Sequence, residues 1–292
     1  MIDWQALAAI VARDRGLAPR AVHATPVGGG DINRAFRLQI DECHFFVKLN
    51  RDALLPMFEA EQAGLAEIAA TETIRVPAVV ATGCLSNHAY IVMEYFEFGG
   101  RPDARRLAAA LAALHGHCHQ RFGFDIDNTI GTTPQPNGFL DDWLEFWRKR
   151  RLEFQLQLAA ANGIDSRVID SGYRLAADLE PLFGDYRPRA SLLHGDLWSG
   201  NQAADQAGNP VIFDPACYYG DHEAELAMME LFGSPGARFF ERYDDLFPID
   251  AGYAQRRELY NLYHVLNHAN LFGGGYAAQA GRMIDALLAK LK

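Results

Sequence analysis

The segment 194-HGDLWSGN-201 decides how this chain is read. It follows the apolar run 190-ASLL-193, so an acid and an amide stand where a buried strand ends. An aspartate there, Asp196, can accept a hydrogen bond from an attacking hydroxyl and then its proton. Asn201, five residues on, offers a neutral oxygen that ligates a metal without adding charge. Asp214 follows thirteen residues later, at the end of 211-VIF-213, and supplies a hard anionic oxygen of the kind Mg²⁺ takes. That order of base, amide ligand and acid ligand is the order used in phosphoryl transfer. Alone, the segment fits equally a strand-end turn capped by Asp and Asn.

Upstream residues separate the two readings. Gly28-Gly29-Gly30 falls between two predicted strands, where glycine lets backbone N–H groups approach phosphate. In 45-FFVKL-49 a single lysine, Lys48, interrupts an apolar strand and needs a partner. The next helical pattern, 56–70, carries two acids, but only Glu61 shares the stripe of Phe58, Leu65 and Ile68. A Lys48–Glu61 pair holding the lysine toward nucleotide phosphates follows, with Glu59 in solvent. Glycine loop, strand lysine, helix glutamate, Asp196, Asn201 and Asp214 thus stand in the order of a kinase.

The composition is consistent with that. With 27 Lys plus Arg against 37 Asp plus Glu, the formal charge is −10, which disfavours nucleic acid and anionic membranes as partners. The four cysteines have no C-x-x-C spacing, and no basic-then-apolar leader opens the chain, so reduced thiols and a cytoplasmic location are expected. Periodicity predicts a helix over 3–15 and strands at 22–27, 34–40, 43–49 and 89–93. Further helices are predicted over 104–119, 140–162 and 166–183 and through most of the chain from 223, with a loop at 125–139 and short strands at 192–193 and 211–213. The expected fold class is α+β, with a β-rich N-terminal lobe over 1–98, a helical C-terminal lobe over 99–292, and a ligand held between them.

Other residues bear on the substrate. Trp198, in the loop that presents Asp196, is read as a flat apolar wall for a substrate rather than as core. His264, Asn267 and His268 occupy one helical face and are read as a pocket wall; no glutamate motif or cysteine accompanies them to suggest zinc. His115, His117 and His119 alternate along a predicted helix and so point apart. Asp221 and Glu223 either support the metal-binding loop or cap the helix that starts there.

With these residues in place, the chain resembles the fructosamine kinase family, the ketosamine-3-kinases of the aminoglycoside-phosphotransferase-like branch of the protein-kinase-like fold. The resemblance runs nearly end to end, through 28-GGGDINRAFRL-38, 45-FFVKLN-50, 58-FEAEQAGL-65, 93-MEY-95, 194-HGDLWSGN-201, 213-FDPACYYGDHEAELAM-228 and 260-YNLYHVLNHANLFG-273. It implies ATP-dependent phosphorylation of the sugar 3-hydroxyl of free or protein-bound ketosamines, a deglycation repair activity with ribulosamines, erythrulosamines or fructosamines as substrates. It assigns Asp196 as base, Asn201 and Asp214 as Mg²⁺ ligands, and Lys48 with Glu61 as the phosphate-positioning pair. Gly28, Gly29, Gly30, Asp31, Ile32 and Asn33 would cover the phosphates, and the backbone around Met93, Glu94 and Tyr95 would meet adenine. A monomer is expected. Asp31 replaces a cysteine common after the three glycines, so no disulfide is expected there and the acid should turn outward. His222 stands where arginine is frequent, which removes any ion pair that arginine makes.

Two rivals remain. A kinase of the same fold acting on an aminoglycoside, choline or homoserine would share every nucleotide-side residue, and substrate screening separates it. A non-catalytic nucleotide-binding regulator is disfavoured by the presence together of Lys48, Asp196, Asn201 and Asp214.

Overall fold

The computed structural model describes residues 2–14, 21–28 and 32–291, so Gly29, Gly30 and Asp31 of the predicted glycine loop lie outside the described residues. The chain forms two units. One takes Met1–Asp103 and Gln202–Pro215, the other Ala104–Asn201 and Ala216–Lys292.

The first unit begins with helix α1 (Trp4–Asp14), then strands β1 (Val22–Val27), β2 (Arg34–Ile40) and β3 (Cys43–Arg51), helix α2 (Leu55–Ala70), and strands β4 (Val79–Leu85) and β5 (His88–Glu94). The strands make one antiparallel sheet in the order β1-β2-β3-β5-β4. Alternation along β3 sorts its side chains between the faces. Phe45, Val47 and Leu49 join Leu7, Val11, Leu38, Ile40 and Val92 in a dry core under α1. Each such side chain contributes about 2 kcal/mol by leaving water. Lys48, one position out of phase, points to the other face and reaches α2. The hairpin Gln202–Ala204/Pro210–Ile212 also belongs here. Its strands are tied by Ile212 N donating to Arg75 O at 3.0 Å, and by Gly99 N to Ala204 O and Ala204 N to Gly100 O, both at 2.8 Å. That return of the chain brings Asp214 into the same unit as Lys48, a placement no local pattern reveals.

The second unit is mainly helical around a three-stranded sheet ordered Tyr218–Gly220, Ala190–Leu193, Cys118–His119. Four predicted elements differ. The helix from Ala104 stops at His115, where Gly116 N bonds back to Ala112 O and Ala113 O, and Cys118–His119 pairs with Ser191 and Ala190 as an edge strand. The loop at 125–139 contains a hairpin, Asn128–Ile130/Thr133–Gln135, turned at Gly131 with φ 65°. The span predicted as one helix over 166–183 breaks into Ser166–Ala176 and Glu180–Phe183, the second with proline in its first turn.

The fourth is the long helix, which runs from Trp143 to Ala161 with its middle, Trp147–Leu152, wound as π-helix. Arg151 in that stretch is fully buried, its guanidinium 4.2 Å from the Tyr218 ring centre and 4.7 Å from that of Phe146. It donates to Pro136 O at 2.7 Å and to Asn137 Oδ1 at 2.8 Å. A charged head packed among rings and carbonyls accompanies the widened register.

Candidate active site

In the first unit the lysine of β3 is held by two acids. Lys48 Nζ lies 2.7 Å from Glu61 Oε1 on α2 and 2.5 Å from Asp214 Oδ1. Lys48 and Glu61 are buried, whereas the Asp214 side chain is 46% exposed. Burial opposes charge on Lys48, but the Asp214 and Glu61 carboxylates outweigh it and hold the ammonium above the ordinary lysine range. Asp214 itself has φ 60°, the left-handed region few non-glycine residues adopt and one common at functional sites. Glu59, on the same helix, is exposed.

The other residues expected to face the nucleotide lie around the sheet. Gly28 follows β1, and a Cβ there would meet nothing. Ile32 is exposed, and Asn50 Nδ2 donates to Ile32 O at 3.2 Å and to Asn33 Oδ1 at 2.7 Å, so Ile32 and Asn33 are anchored to the end of β3. Met93 is buried on β5. Glu94 N donates to Ala78 O, and its carboxylate pairs with Arg75 at 2.7 Å. Tyr95 lies beside His44, with the Arg37 guanidinium 5.3 Å from its ring centre.

In the second unit the loop 194–201 is a tight turn. Trp198 N donates to Asp196 O and Asn201 N to Trp198 O. Asn201 Nδ2 donates to Asp196 O at 2.8 Å and to Asp196 Oδ2 at 3.3 Å, which turns the amide oxygen away from the acid. Gly195 has φ 84°, and a Cβ there would overlap the Ala216 carbonyl, so only glycine lets the loop pass. The Trp198 ring lies over Gly200 and is 41% exposed, unlike a core tryptophan.

Under this loop sits an acid that no short-range pattern singles out. Glu225, on the helix His222–Leu231, is fully buried. Its Oε1 accepts from Gly195 N at 2.7 Å and its Oε2 from His194 N at 3.2 Å. His115 Nε2 lies 3.0 Å from Oε2, and His115 Nδ1 lies 2.6 Å from the Tyr243 hydroxyl. Burial disfavours the charge on Glu225, but the His115 ring and the Gly195 N–H reverse that and hold it below the usual carboxylate range. The only trace in sequence is an acid inside 224-AELAM-228, which periodicity alone reads as one more helix position.

The remaining candidates are placed as follows. Asp221 Oδ1 accepts from Glu223 N, which makes it the cap of its helix, and its carboxylate also takes the Tyr186 and Tyr260 hydroxyls. Glu223 is paired with Arg256 at 2.6 Å. His264 is buried against Tyr263. Asn267 is buried as well, accepting from Gln155 Nε2 and donating to Ile130 O. His268, on the same helix, is half-buried among Phe232, Phe272 and Tyr276.

Two buried histidines set an acid limit on stability. Burial pushes the rings of His222 and His264 down to about 3. In the unfolded chain each takes a proton below about pH 6.5. Between these values the unfolded chain binds more protons, so their contribution is complete above pH 6.5 and is lost as pH falls toward 3. At pH 5 each should remove about 2 kcal/mol relative to pH 7.5. Urea midpoints at the two pH values check this: His222→Leu should reduce the pH difference, and an unaltered difference contradicts the assignment.

The fold is of the protein-kinase-like class. An aminoglycoside phosphotransferase, APH(4)-Ia, superposes with a TM-score of 0.61 over 98% of each chain at 18% identity. The chain belongs to the fructosamine kinase family, whose profile matches residues 3–290. It is 46% identical over 291 residues to a probable ketoamine kinase of Synechocystis, covering 98% of this chain and 97% of the relative. It is also 46% identical over 281 residues to a chloroplastic protein-ribulosamine 3-kinase of Arabidopsis thaliana, covering 95% and 86%. A solved structure of a candidate fructosamine-3-kinase from Haemophilus somnus matches with a TM-score of 0.90 at 27% identity, over 98% of this chain and 97% of that one. No helix among the described residues is long and apolar enough to cross a membrane.

Proposed function

We propose that this enzyme transfers the γ-phosphoryl group of ATP to the 3-hydroxyl of a ketosamine, so that the phosphorylated adduct breaks down and frees its amine. Full-length similarity to ribulosamine and ketoamine kinases supports the substrate class. The observation that carries the nucleotide half is the buried Lys48 held between Glu61 and Asp214. A cation fixed by two carboxylates is pre-oriented for phosphate and does not spend binding energy on ordering.

In the reaction, Asp196 accepts the proton of the 3-hydroxyl as its oxygen bonds to the γ-phosphorus, and the bond to the ADP oxygen breaks. Lys48 offsets charge on the nucleotide phosphates. Asn201 and Asp214 would hold Mg²⁺, whose added positive charge supports the same phosphates. The donor set fits: an amide oxygen and a partly exposed carboxylate are hard ligands of the kind Mg²⁺ prefers. Trp198 offers an exposed ring beside the base for the sugar. ADP release across ribulosamine, erythrulosamine and fructosamine derivatives of lysine tests the reading; turnover of another hydroxylated amine and of no ketosamine rejects it.

Glu225 acts as a positioning residue for Asp196 through the backbone of Gly195. Glu225→Gln keeps an acceptor but removes the charge, and hydrogen bonds to charged groups are worth roughly 1.5–3 kcal/mol. A kcat about 10- to 100-fold lower is expected, with KM for ATP within about threefold. Steady-state kinetics check it, and an equal loss in KM and kcat would point to general damage instead.

A further inference from the structure

A cluster of aromatic rings continues from the catalytic loop and has no role in phosphoryl transfer. Ser199, next to Trp198, donates its hydroxyl to Phe232 O at 3.0 Å. The Phe232 ring packs at a tilt against His268 with centres 4.7 Å apart. His268 in turn meets Phe272 at 5.5 Å and Tyr276 at 5.0 Å. The geometry has a local cause: the helix Tyr253–Phe272 ends at Gly273 and Gly274, both with positive φ, and the reversal returns Tyr276 to His268. Phe272 is left 66% exposed. The His268 Nδ1 atom is buried without a hydrogen-bond partner among the described residues, and burial lowers the proton affinity of the ring, so it stands neutral.

A group of half-buried rings carrying one exposed ring, Phe272, and tied to the catalytic loop through Ser199 marks a ligand surface rather than scattered apolar exposure. Resting on the ketosamine reading, we propose that Phe232, His268, Phe272 and Tyr276 form a separate subsite for the amine side of the substrate: the protonated secondary nitrogen and the hydrocarbon stem of a lysine. Two features fit this occupant. Aromatic faces attract a cation, and a neutral His268 does not repel it. The rings also give the four-carbon stem an apolar bed as it leads away from the sugar. The subsite makes the enzyme selective for lysine-borne adducts over the same sugar on a small amine.

The test compares two substrates with one sugar, the ribulosamine of an Nα-blocked lysine and the ribulosamine of methylamine, on the wild type and Phe272→Ala. Phe272 lies at an exposed helix end, so its truncation is compatible with folding. Both adducts carry the same secondary ammonium, so the ratio reads the bed under the stem: its loss should lower the lysine-to-methylamine ratio of kcat/KM by about fivefold or more, mainly through KM for the lysine adduct. Phe272→Trp should restore the ratio. An unchanged ratio, or a change that accompanies a shift in oligomeric state on gel filtration, overturns the subsite; the second result would assign the rings to a contact between copies. Failure of the wild type on both adducts would instead reject the ketosamine reading itself.

Discussion

Asp196→Asn is expected to bind ATP nearly as the wild type does and to lose turnover by about 10²- to 10⁴-fold, the range over which a positioned general base acts. The substitution is close to isosteric. The turn that holds residue 196 is built from backbone bonds, Trp198 N to Asp196 O and Asn201 Nδ2 to Asp196 O, and these survive it. What goes is the carboxylate that accepts the hydroxyl proton. Lys48, Glu61 and Asp214, which the nucleotide would meet, are untouched. Rapid-mix kinetics with a fluorescent ATP analogue, alongside ADP release, separate the two effects. Turnover near the wild-type rate would place the base elsewhere.

Lys48→Met should damage both stability and activity, and the two can be taken apart. Removing one member of a buried ion pair leaves the other charge without compensation, at a cost of about 3–5 kcal/mol. Here the stranded group is Glu61, since Asp214 is open to water. Adding Glu61→Gln takes away the stranded charge, and replacing both partners is often close to neutral. The double variant should therefore recover most of the unfolding free energy in urea yet stay at least about 100-fold below wild type in turnover, because the lysine's charge on the phosphates is gone. Recovery of turnover with stability would show that the lysine acts only as a strut.

The parts of the site that were legible in sequence are those with short-range logic. A lone lysine in an apolar strand and an acid on the apolar stripe of the next helix are local anomalies, and the two side chains meet at 2.7 Å. The turn at 194–201 is likewise contained within eight residues. Long-range contacts left no such mark. Asp214 reaches Lys48 from 166 residues away, through a hairpin that pairs with residues near Arg75 and Gly99. Glu225 gains its meaning from His115, 110 residues earlier, and from two backbone N–H groups. The π-turn at Trp147–Leu152 depends on rings and carbonyls elsewhere that surround Arg151. The hairpin at 128–135 was hidden because Pro134 and Pro136 read as loop punctuation, although Pro134 sits in a two-stranded ribbon that needs few of its N–H groups.

The most direct test of the central claim is the position of the phosphate on the product. The enzyme is incubated with ATP, Mg²⁺ and the ribulosamine of an Nα-blocked lysine, and phosphorus–proton correlation NMR follows the reaction. The account predicts a phosphate coupled to the proton on sugar carbon 3, followed by release of free lysine amine. A phosphate on another hydroxyl, or no phosphorylated ketosamine while an aminoglycoside or choline is turned over, would contradict it.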